Sequence, residues 1–88
     1  MAAMMVVIEV HLAPGRKAFE LSKETLEETK AQVMTPAEAA AVGFEGLPPA
    51  PADHAVFYVA VRQVDSRWIM NALEADQGVT KFNVHEVG

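Results

Sequence analysis

His54-Ala-Val-Phe-Tyr-Val-Ala-Val-Arg-Gln-Val64 is the stretch around which the chain must fold. It carries four valines, a phenylalanine and a tyrosine with no glycine or proline, the composition of a strand. Its alternation is two-sided. Phe57, Val59 and Val61 fall on one face, and Val56, Tyr58, Ala60 and Arg62 on the other.

Working outward, Asp65 reads as the cap of a helix with Trp68, Ile69, Ala72, Leu73 and Ala75 as its buried stripe and Gly78 as a left-handed stop. Val79 to Val87 reads as the last strand. On the N-terminal side, Met4 to Leu12 alternates Val6, Ile8, Val10 and Leu12 against Val7, Glu9 and His11, the pattern of a first strand ended by Ala13-Pro14-Gly15. Arg16 to Met34 holds no glycine or proline and predicts one long helix, with Phe19, Leu26 and Val33 inward and Glu20, Lys23, Glu24, Glu27 and Glu28 in solvent. Thr35-Pro36-Ala37-Glu38 has the form of a capping box opening a short second helix that Gly43 stops. Residues 43–53, rich in proline, supply either a weak edge strand or a loop.

The order predicts a single α+β domain over residues 1–88, a two-layer ferredoxin-like βαββαβ sandwich with both long helices on one sheet face. The alternative is a three-stranded βαβαβ sheet with residues 43–53 as loop. In the first arrangement β-strand one lies between the third and the last, antiparallel to both, which brings His11 near His54 and sets His85 at the opposite end, near Met5. The Ala13-Pro14-Gly15 turn resembles the Pro-Gly turn of ACT regulatory domains, which share the βαββαβ order and bind amino acids at a dimer interface. The likeness covers two residues and stops there.

Composition excludes several classes. A net charge of −5 with seven scattered basic residues argues against nucleic acid. No run approaches the ~20 apolar residues of a membrane span, and the N-terminus lacks a basic n-region, so a cytoplasmic protein is expected. The absence of cysteine removes disulfides, thiolate metal sites and cysteine nucleophiles. Neither a metal site, a cofactor nor a catalytic residue is assigned.

Helices on one face leave the other sheet face bare, with Val7, Val56, Tyr58, Ala60 and Val87 exposed together. The leading expectation is therefore a non-enzymatic interaction module that forms a homodimer through this face or docks a protein there. Its interface would comprise Val7, Glu9, Val56, Tyr58, Ala60 and His85. A second reading is a small-molecule binder or cofactor-independent enzyme of the dimeric α+β barrel kind, with His11, His54, Tyr58 and Arg62 around the ligand and Arg62 otherwise paired with Glu9 or Glu86. A third is an acidic, immunity-type inhibitor using the Glu20–Glu28 face.

Overall fold

The computed structural model describes residues 4–44, 48 and 51–87. It is an α+β fold: β1 (Met5–Leu12), α1 (Lys23–Thr29), β2 (Gln32–Met34), α2 (Pro36–Ala41), β3 (Val56–Arg62), a 3-10 turn (Gln63–Asp65), α3 (Ser66–Ala75) and β4 (Val79–Val87). The four strands form one antiparallel sheet in the order β2-β3-β1-β4. Among the described residues no helix is long and apolar enough to cross a membrane.

The fourth strand does not come from residues 43–53, whose described part contains none. It comes from the end of the expected long helix. Ser22 caps α1 by accepting from the Thr25 N–H, and Lys30 closes it after two turns in the left-handed conformation, φ 57°. That turn redirects Gln32, Val33 and Met34 into pairing with Ala60, Val59 and Tyr58. Propensity over Arg16–Met34 is permissive rather than decisive, and pairing with the strongest strand wins. Residues 16–22 run outside any helix, yet Phe19 is still buried, 6.3 Å from Phe57 between ring centres.

Thr29 holds the redirected corner. Its hydroxyl donates to the Thr25 carbonyl at 2.7 Å and accepts from the Ala31 N–H at 3.3 Å, in a buried setting. Thr29→Val keeps the shape and removes both bonds. We expect a loss of about 1–3 kcal/mol, because the Ala31 donor is left dry and unpaired. Urea unfolding measures it, and an unchanged midpoint would mean that the corner does not depend on the hydroxyl.

The first core lies between the sheet and α1 and α3. Val6, Ile8, Val10, Leu12, Val59 and Val61 meet Phe19, Ile69 and Leu73, with Leu26 and Phe82 at its margin. The α3 stripe is rotated from the expected one: Trp68 is 42 % exposed and Met70 packs inward. The cause lies at the start of the helix. Asp65 makes no capping bond; its carboxylate is held by Arg62, and the preceding 3-10 turn sets the phase. Gly78 is not left-handed either. Its lack of a Cβ instead makes room for Arg16, whose side chain crosses it to reach Asp76 at 2.6 Å.

A second core occupies the face expected to be bare. Ala39 of α2 and Phe44 cover Val7, Met34, Val56, Tyr58 and Ala60, all of them buried. The short Thr35-capped helix, formed with both halves of its capping box, thus serves as a lid on the second sheet face. The exposure that called for a second copy there is absent; the side chain of Val87 lies outside the described residues.

Candidate functional site

The alternation of β1 places Glu9 and His11 beside Val7 on the second face, toward β4 from the α2 lid. Register supplies their neighbours. Glu9 stands between Tyr58 and Asn83, and His11 between Val56 and Lys81. The segment before β3 continues the ladder, with the Leu12 N–H donating to the Ala55 carbonyl at 3.0 Å. This backbone bond lays His54 directly against His11.

The side chains then join in a line. Asp53 Oδ1 accepts from His54 Nδ1 at 2.8 Å. His54 Nε2 and His11 Nδ1 are 2.7 Å apart, with ring centres at 5.0 Å. His11 Nε2 and Glu9 Oε2 are 2.5 Å apart, and Glu9 Oε1 accepts from His85 Nε2 at 2.8 Å. The middle of the line is dry: Glu9 is 5 % and His11 6 % exposed. The two ends are wetter, with His85 half-buried and Asp53 in solvent.

Burial by itself would raise the pKa of Glu9. The hydrogen bonds from His85 and His11 and their charges outweigh it, and the carboxyl sits below its ordinary value. Burial, helped by the charge of Glu9, pushes the Tyr58 phenol up. Among the described residues no buried side-chain nitrogen or oxygen lacks a partner. Nor does any group of three histidines or carboxylates among them converge on a point as metal ligands must. Here the groups bond in series, each to the next.

Of the four expected ligand residues, the structure brings two together. His11 and His54 touch. Tyr58 lies beside Glu9 in register, but its hydroxyl donates to the Pro48 carbonyl at 3.3 Å under the lid. Arg62 sits opposite Met5 at the far end of β3 and pairs with Asp65 at 2.7 Å, not with Glu9 or Glu86. His85 lies toward the Met5 end of β1, as strand order implies, yet its imidazole reaches Glu9 and so joins the line. His85 faces Val7, one alternation from Glu9, and an imidazole spans that gap. Its parity with Glu9 and His11 was visible in the sequence; the reach of its side chain was not.

A second feature lies at the other edge of the sheet. β2 is an edge strand, and beside it opens a cavity of about 840 Å³ lined by Leu21, Leu26 and Val33, with Val42 at its rim. Glu20, Lys23 and Glu38 stand around it. The groove lining thus carries two carboxylates, Glu20 before α1 and Glu38 in α2, against the one ammonium of Lys23, which is itself 4.0 Å from Glu27. No sequence motif marks this groove, because it exists only after Lys30 has turned the chain.

No protein-family model matches the chain, and neither a curated protein nor a solved structure does so at a significant level.

Proposed function

We propose that this protein is a small non-enzymatic binding module that takes an extended, basic segment of a partner protein as an added strand beside β2. The observation that carries the reading is the groove of about 840 Å³ along the β2 edge of the sheet, apolar in much of its lining and carrying the carboxylates of Glu20 and Glu38 against the single ammonium of Lys23. An edge strand offers backbone donors and acceptors, an apolar floor takes alternate side chains, and carboxylates select lysine or arginine. The strand order, with β1 and β3 at the centre, supports a ferredoxin-like βαββαβ plan to which α2 is an addition between the second and third strands.

A binding role is favoured over catalysis by the saturation of the histidine line. Both ring nitrogens of His11 and both oxygens of Glu9 are taken by protein partners, leaving neither free to meet a substrate.

A short synthetic peptide alternating valine and lysine tests the reading by NMR titration. We expect shift changes centred on Gln32–Met34, weakening with added salt because the charged part is screened. Val42→Lys, at a residue 61 % exposed on the rim, should weaken binding at least about tenfold without altering the fold. Perturbations that spared β2, or binding indifferent to Val42→Lys, would sink the proposal.

Self-association has one specific observation in its favour, the outer edge of the nine-residue strand β4, which no other strand pairs among the described residues and where Val84 is 45 % exposed. Such an edge can pair with its copy in a second chain.

A further inference from the structure

We infer that the groove beside β2 takes its partner segment in one register: an apolar side chain opposite Val33, turned toward α1, and a lysine or arginine at a neighbouring position, turned toward Glu38 of α2. This register rests on the strand-addition reading and makes Glu38 the residue that selects the partner.

The groove wraps around the sheet edge. Leu21, Leu26 and Val33 line it from the side of the first core, and Met34 lines it from the second. Glu38 and Val42 belong to α2 and its C-terminal cap, the helix packed on the second face. Successive side chains of an added strand point to opposite faces of the sheet. A residue paired with Val33 shares its face and meets Leu21 and Leu26, which are only partly buried and leave apolar surface to be covered. Its two neighbours, beside Gln32 and Met34, point to the α2 side.

Charge divides along the same line. On the α1 side the lining holds one carboxylate and one ammonium, those of Glu20 and Lys23. On the α2 side Glu38 is the one charged residue of the lining. Its Oε1 accepts from the Thr35 N–H at 3.0 Å to complete the capping box, and its Oε2 makes no hydrogen bond or ion pair among the described residues. The cap thus fixes the carboxylate while leaving one oxygen for a cationic donor. An acidic side chain at the same place would set carboxylate against carboxylate, so the site rejects as well as selects.

The edge is also short. Lys30 turns left-handed before it, and Pro36, which has no N–H, opens α2 after it. Only Gln32, Val33 and Met34 form the strand between them. Three facing residues, basic or polar, apolar, basic or polar, with at least one of the outer two basic, are the segment that fits.

Two capped peptides, one alternating valine with lysine and the other valine with glutamine, test the register by NMR titration. The intact chain should prefer the lysine peptide. Glu38→Gln keeps an amide oxygen for the Thr35 N–H and removes only the charge, since glutamine also closes a capping box. The ratio of the two dissociation constants should then fall by about threefold to fivefold, the scale of one exposed charge pair. Glu74→Gln, exposed on α3 outside the groove, changes the net charge equally and should leave the ratio as it was. In the complex with the intact chain, nuclear Overhauser contacts should join the valine methyls of the peptide to Leu21 and Leu26, and its lysine methylenes to Val42. A ratio untouched by Glu38→Gln, an equal fall in Glu74→Gln, or the reverse pattern of contacts would each overturn the register while strand addition stands, provided Gln32–Met34 respond to the peptide. Silence at Gln32–Met34 would overturn both.

Discussion

Replacing Glu9 with alanine should lower stability by about 3–5 kcal/mol at neutral pH, the cost of breaking a buried pair by removing one partner. Both of its oxygens serve histidines, and His11, 6 % exposed, would be left with a dry nitrogen and no anion beside it. In a chain of this size each kcal/mol shifts the melting temperature by about 4–8 °C, so a fall of at least about 12 °C is expected. Glu9→Gln keeps the volume and one acceptor and should cost less. The effect is also pH-dependent with a definite sign. Because the folded-state pKa of Glu9 is depressed, its contribution is present above the unfolded value of about 4.3 and lost as pH falls through the lower folded value. Thermal melts at neutral and acidic pH check both statements. A Glu9→Ala protein within about 1 kcal/mol of the original would mean that the carboxylate is not buried between its histidines.

Tyr58→Ala should be comparably damaging, at about 3–5 kcal/mol, while Tyr58→Phe should cost about 0.5–1.5 kcal/mol. The contrast tests the lid. The Tyr58 ring lies on the second sheet face and is buried with Val7, Met34, Val56 and Ala60 beneath Ala39 and Phe44, so truncation opens a cavity. Removing only the hydroxyl gives up one 3.3 Å bond to the Pro48 carbonyl. On an open face the alanine variant would lose little, as surface substitutions do. Chemical denaturation of the two variants side by side separates a face closed within the chain from one waiting for a partner.

The two readings of the second face differ in one short segment. In the sequence, Thr35 to Val42 is a well-signalled helix with a complete capping box, but nothing in its alanines says which surface it covers. Six residues with a single buried position, Ala39, carry too little periodicity to choose a side. The choice follows from β2: once Gln32–Met34 pairs with β3, the chain leaves the sheet edge with Ala39 placed over Tyr58 and Ala60.

The histidine line was half legible. The antiparallel placement of β1 beside β3 puts His11 next to the residue that opens β3, and that much follows from strand order. Period-two alternation likewise puts Glu9, His11 and His85 on one face. Which of them touch depends on register and side-chain reach, and a shift of one residue would have sent His85 to the opposite face.

The sequence by itself determined the three long strands, the apolar face of each, the cap of α2 and the acidic surface of α1. Each of these is written in spacing a few residues long, where local sterics and burial act together. Only the tertiary structure decided that the long helix stops at Lys30, that residues 32–34 become the fourth strand, and that Asp53, His54, His11, Glu9 and His85 join end to end. Those outcomes rest on partners 24 to 76 positions apart in the chain, such as Met34 with Tyr58 and Glu9 with His85. Local propensity cannot carry such information; the free energy of long-range pairing does.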